Sequence, residues 1–176
     1  MVAKIGFAFF KPDGLFGYAI VIGAWFKHGK LGKYSHVEAY DPARTIVDEN
    51  GVKRYWCFSS YEKDGGVRVK LIGLDKQGAD RVEFECPEIK VTTAWNWGLT
   101  QLDLKYGWSE IRGFVLPWKS GHDNTWVCSE ICCELAKRVG LVQADVRCDR
   151  VAPSTLWELL NVPWNNQISS TSIEIV

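Results

Sequence analysis

Charge of one sign is not in excess in this sequence: 21 Lys and Arg stand against 21 Asp and Glu in 176 residues, for a formal net charge of zero. Without a basic surplus there is no electrostatic footprint for a nucleic-acid backbone or an anionic membrane, so a dedicated DNA or RNA binder is disfavoured. Long apolar runs are missing as well. The only candidate, Gly14 to Phe26, covers about half to two-thirds of the roughly 20 residues a bilayer crossing takes, so no integral membrane segment is expected. It is also a poor signal peptide, because Lys11-Pro12-Asp13 interrupts the basic region and no small-x-small cleavage site follows. The expectation is a cytoplasmic protein, and the short signal-less form is compatible with a phage-encoded one acting in a host cell or virion. The six cysteines lack the paired C-x2-C spacing of structural zinc sites: Cys128, Cys132 and Cys133 form C-x3-C-C, with only His122 nearby as a further ligand. Neither zinc nor a disulfide framework is favoured, and reduced thiols are expected. Internal repeats, linkers and low-complexity tracts are absent.

What is present suits one compact domain over 1–176. At 47% hydrophobic and 13% aromatic residues, the chain can enclose one sizeable core but hardly two. Lys4 to Phe10 reads as a buried strand ended by the turn residues Pro12-Asp13-Gly14, and Leu15 to Phe26, apolar on every side, as a buried helix stopped at His28-Gly29. Ser35 to Tyr40 alternates strictly, setting His36, Glu38 and Tyr40 on one face of a strand. Asp41 to Arg44 reads as a turn, Arg54 to Ser59 and Val67 to Ile72 as strands flanking the turn at Lys63 to Gly66, and Arg81 to Cys86 as a strand ended by Pro87. Thr92 to Leu104 and Ser109 to Val115 are weaker helices. From Thr125 the helical signal sharpens: Cys128, Ile131, Cys132, Leu135, Ala136 and Val139 form one apolar stripe, with Asn124 or Thr125 as cap and Gly140 as stop. A short helix follows from Ser154 to Leu160.

A cysteine is a useful nucleophile as thiolate, and the first turn of a helix, with unpaired N–H groups and a positive dipole end, favours that form. Cys128 is placed there, whereas Cys132 continues the apolar stripe and reads, with Cys133, as structural. The nucleophile needs a base oriented by a third polar group. His36 and Glu38, two apart on a strand, put an imidazole and a long carboxylate within reach of each other; the competing reading is a solvated polar strand face. His122, close to Cys128 in sequence, is the rival base, and His28 belongs to a helix end. Trp95, Trp97, Trp108, Trp118 and Trp126 either line a groove for sugar or an acyl chain or fill the core.

Tyr34-Ser35-His36-Val37-Glu38, Gly65-Gly66-Val67 opening a strand, and Trp126-Val127-Cys128-Ser129-Glu130 opening a helix resemble the circularly permuted branch of the NlpC-type papain-like cysteine hydrolases, the YiiX-like proteins. The order carries the likeness, since the histidine strand precedes the cysteine helix, and Ala152 to Leu156 is similar to the segment that follows that helix. The resemblance implies an α+β papain-like fold, a central antiparallel sheet packed against helices with the cysteine helix late in the chain. It also implies Cys128 as nucleophile, His36 as base and then acid, and Glu38 as orienting residue, with Ser59 or Ser60 as the fallback. Tyr34, Trp126 and Ser129 would border the substrate. The implied activity is that of an amidase or peptidase needing no metal or organic cofactor, with peptide bonds of bacterial cell wall as its best-known substrates. An acyltransferase or thioesterase for lipid-linked substrates and a non-catalytic virion or binding component are the alternatives. The sequence leaves the oligomeric state open.

Overall fold

The structure, a computed structural model, describes residues 1–14, 17, 18, 21, 31–107 and 125–161. Most of the helix expected over Leu15–Phe26, the one expected over Ser109–Val115, and His28, Trp108, Trp118, His122 and Asn124 lie outside the described residues. Among the described residues seven strands form one sheet in the order β5-β1-β2-β3-β4-β6-β7. They are β1 (Val2–Phe10), β2 (His36–Val47), β3 (Lys53–Tyr61), β4 (Gly66–Ile72), β5 (Asp80–Pro87) and the two-residue β6 (Lys105–Tyr106) and β7 (Thr125–Trp126). Neighbours are antiparallel except β6 and β7. Among the described residues, the helices whose full bounds are described are α1 (Glu88–Leu99), α2 (Cys128–Val139) and α3 (Pro153–Asn161), and the architecture is mixed α+β. Among the described residues no helix is long and apolar enough to cross a membrane.

The sheet is covered on both faces, which is why β1 is buried without interruption from Ile5 to Phe9. Phe7, Phe9, Val37, Ala39 and Phe58 pack against Val91 and Ala94 of α1, the α2 stripe Ile131, Cys132 and Leu135, and Leu156 and Leu160 of α3. Ala8, Tyr40, Tyr55, Cys57, Ile72 and Leu74 form a smaller cluster on the other face. Two of the six thiols are joined: Cys133 of α2 and Cys148 form a disulfide with Cα atoms 5.5 Å apart, correcting the expectation of reduced cysteines throughout. Cys57, Cys86, Cys128 and Cys132 are free.

Two local expectations also change. Asp41 to Arg44 is not a turn between strands but lies inside β2, where the register with β3 shifts between Tyr40 and Thr45. Pro42 has no N–H to give a ladder, and the Asp41 carboxylate accepts the Ala43 N–H at 2.9 Å, so the segment bulges without breaking the strand. Thr125 does not cap α2, because it belongs to β7; Val127 holds the N-cap position and offers no side-chain acceptor. The stop at Gly140 is as expected, with φ 88° in the left-handed region.

Candidate active site

His36 opens β2, opposite Phe10 of β1, and Glu38 stands opposite Ala8. Alternation therefore puts both on the face that carries Ala8 and Tyr40, the face of the smaller cluster. This is not a solvated strand face: the Glu38 side chain is 1% exposed and that of His36 16%. The imidazole Nε2–H donates to Glu38 Oε1 at 2.7 Å. Its ring sits between two aromatic rings, 4.9 Å from Tyr61 and 5.8 Å from Phe10 between centroids. Cys128 also acts on the ring, as the first of the influences that raise the imidazole.

Cys128 is the first residue of α2 and is 4% exposed. Chain geometry explains its placement. The short strand β7 pairs with β6 through Tyr106↔Trp126, and Ser60 of β3 donates its hydroxyl to the Trp126 carbonyl at 2.6 Å. The residues just before the helix are thereby fixed to the sheet. The helix itself presses on the sheet where β2 and β3 part. Their pairing starts at Ala39↔Phe58, Ser59 takes the free Val37 carbonyl at 2.7 Å, and the Cys132 sulfur lies 3.7 Å from that same carbonyl. Because Val127 has no capping side chain, the first-turn N–H groups beside Cys128 are not taken by a cap.

Electrostatics acts in opposite directions on the histidine and the carboxylate. Burial works to lower the His36 imidazole, but Cys128 and the Glu38 carboxylate outweigh it and push it up to about 10. Burial works to raise Glu38, but hydrogen bonds from Arg68 and the charge of His36 hold it below its ordinary value. Burial raises the Cys57, Cys86 and Cys132 thiols. A buried carboxylate must be paired, and Glu38 is paired twice. Arg68 of β4 donates Nη1–H to Oε2 at 2.6 Å and Nη2–H to Oε1 at 2.5 Å, while its Nε–H donates to Asp64 at 2.9 Å.

Of the residues singled out in the sequence, the structure brings Cys128, His36 and Glu38 together. Ser59 and Ser60, the fallback for the third position, instead donate to main-chain carbonyls of Val37 and Trp126. Tyr34 is in the core rather than on an open wall: it is 1% exposed, its ring packs on Phe9 and Trp157, and its hydroxyl donates to Asp80 at 2.7 Å. Ser129 is buried on the helix. Trp126 is partly exposed, edge-on to Trp97, with its indole N–H directed to Gln101 at 3.3 Å. Among the described residues no group of three or more His, Cys, Asp or Glu is placed to hold a metal ion.

The sequence patterns do not single out Arg68 or Asp64. The available signal was the alternation of β4, where Arg68 and Lys70 share the face opposite to Val67 and Val69. Because Ser59 pairs with Arg68, only a small side chain stands beside the path by which the guanidinium reaches β2. No family model matches this chain, and no curated protein or solved structure matches it.

Proposed function

We propose that the protein is a cysteine-dependent hydrolase that cleaves an amide bond through a thioester. The observation that carries this reading is the constellation at the start of α2: Cys128 as first residue of the helix, acting on the His36 imidazole, whose Nε2 is bonded to Glu38 at 2.7 Å. With Nε2 occupied by Glu38, the second ring nitrogen is left to exchange a proton with the nucleophile and the leaving group.

In the reaction, the Cys128 thiolate attacks the carbonyl carbon, and the oxygen gains negative charge as the tetrahedral intermediate forms. Uncapped N–H groups of the first turn, the Cys128 N–H among them, stabilise that oxygen. The intermediate collapses with cleavage of the C–N bond, and the His36 imidazolium gives its proton to the departing amine. Neutral His36 then takes a proton from water, whose oxygen attacks the thioester. The acid is released, and the thiolate and imidazolium return. We propose a circularly permuted NlpC-type papain-like fold for the domain, on the strength of the motif order and of the late cysteine helix. Bacterial cell-wall peptides are then the first substrate class to try. The wide groove over α1, about 1100 Å³, is lined by Trp56, Val91, Trp95 and Leu99 and not by Cys128, His36 or Glu38, so it gives no support to an acyl-chain pocket at the nucleophile.

The test is thiol reactivity followed by substrate screening. At pH 6 an ordinary thiol of pKa near 8.5 is about 0.3% ionised. Limiting iodoacetamide should therefore label Cys128 ahead of Cys57, Cys86 and Cys132, and His36→Ala should slow that labelling by up to about 300-fold. Peptidoglycan fragments and acyl thioesters then separate amide from thioester cleavage. Equal labelling of all free cysteines in the native protein would sink the reading.

A further inference from the structure

Beyond Cys128 the charges alternate in sign from the buried site to the surface: His36, Glu38, Arg68, Asp64 and finally Lys70, whose ammonium lies 2.9 Å from Asp64 and is 55% exposed. We propose that Arg68 is a positioning residue of the acyl-transfer site, its two-pronged grip keeping the Glu38 carboxylate ionised and turned toward His36. The inference rests on the cysteine-hydrolase reading and deepens it.

Geometry gives Arg68 this part. Glu38 is 1% exposed, and His36 supplies one donor to one of its oxygens. Arg68 supplies one donor to each oxygen, which fixes the plane of the carboxylate and its rotation about the side chain. The guanidinium is itself fixed, by Asp64 on its Nε–H and by the Tyr61 ring, 5.7 Å from its central carbon. That same Tyr61 ring packs on the imidazole, so one aromatic side chain sets both cations. A lysine cannot reproduce three bonds in one plane. The other titratable groups whose charge Glu38 influences are the thiols of Cys57 on β3 and Cys132 on α2, both raised by burial and hence neutral. Among the described residues no cation besides His36 and Arg68 bonds Glu38.

The experiment is the pH profile of iodoacetamide labelling at Cys128 between pH 5 and 9, in the full chain, with urea unfolding of every variant. Without Arg68 the buried carboxylate takes up a proton at higher pH and ceases to support the imidazolium. In Arg68→Met the acid limb should then move up by about one unit, which is up to about tenfold slower labelling on that limb and an unchanged rate near pH 8.5. Arg68→Lys should fall between wild type and Arg68→Met. In a Glu38→Gln background, Arg68→Met should change the rate by less than about twofold, because its effect passes through Glu38. That double variant also avoids stranding one buried charge, and if Arg68→Met does not fold, the limb shift in Arg68→Lys and the double-to-single comparison decide the matter. A loss that is uniform across pH, or equal in both backgrounds, overturns the proposal. The two readings fail separately: slow labelling of Cys128 in the wild type removes the hydrolase, whereas fast, His36-dependent labelling that Arg68 variants leave untouched removes only this inference.

Discussion

The two ends of β2 differ in almost every physical respect. At its start, His36 and Glu38 are enclosed, every polar atom of Glu38 is matched, and charges of opposite sign alternate outward through Arg68 and Asp64. At its far end Ile46 and Val47 are 44% and 68% exposed, as is 42% of Trp56 on β3, and the bulge at Asp41 to Arg44 lines the wide groove. The volume of that groove by itself would direct attention to the far end. The chemistry points to the start, because burying a carboxylate is costly unless several partners compensate it, and perturbed titration concentrates at functional sites. If that contrast is correct, reactivity at Cys128 depends on the charge chain at one end and is separable both from overall stability and from the groove.

The largest expected change in stability tests the first separation. The Cys133–Cys148 disulfide joins residues 15 apart, and closing a loop of that size in the unfolded chain stabilises by about 3 kcal/mol in the chain-entropy account. Cys148→Ser should lower the urea unfolding free energy by roughly that amount, while the labelling rate of Cys128 in the still-folded protein stays within about twofold, since neither sulfur belongs to the charge chain. A rate that fell in step with stability would tie reactivity to general rigidity and erase the distinction between the two ends.

A smaller effect, and one confined to the start of the strand, lies in the titration of His36. Its pKa is pushed up to about 10, with Cys128 the first of the influences that raise it. In the wild type, the His36 ring signals in an NMR titration should hold still from pH 5 to 8. In Cys128→Ala the midpoint should fall by at least about one unit, a change of about 1.4 kcal/mol in favour of the neutral ring. The sign for stability follows. A group raised from about 6.5 to about 10 on folding stabilises the protein fully below 6.5, and the benefit fades as pH climbs toward 10. Unfolding curves at pH 6 and pH 10 should therefore differ more for the wild type than for Cys128→Ala. An imidazole that titrates near 6.5 in both proteins would place Cys128 and His36 out of contact.

Much of this site was legible because it is built from local patterns. Strict alternation put His36 and Glu38 on one face, and the apolar stripe from Cys128 to Val139, closed by Gly140, marked α2 and the position of its first residue. What could not be read depends on contacts between segments far apart in sequence. Arg68 looks like any charged residue on a half-exposed strand until the β2–β3–β4 register brings it to Glu38. Asp41-Pro42-Ala43-Arg44 has turn composition, and only the continuation of pairing at Thr45 turns it into a bulge. Similarly, the pairing of Cys133 with Cys148 follows from how the segment after α2 folds back, which cysteine spacing does not determine.

The weakest expected effect is the sharpest test of the contrast. Trp56 is 42% exposed and lines the groove, on the β3 strand that also carries Tyr61 at the other end. If the groove were an extension of the reactive site, replacing this side chain would alter how a reagent or substrate approaches Cys128. If the two ends are independent, Trp56→Ser should shift stability by no more than about 0.5 kcal/mol, as exposed substitutions ordinarily do. It should leave the iodoacetamide profile of Cys128 superimposable on that of the wild type. The same strand thus supplies its own control: Tyr61, with its ring 4.9 Å from His36, is in contact with the imidazole, so Tyr61→Ser should slow labelling where Trp56→Ser does not. Equal effects of the two substitutions would show that the strand transmits disturbance from one end to the other, and the charge chain would then no longer account by itself for the reactivity of Cys128.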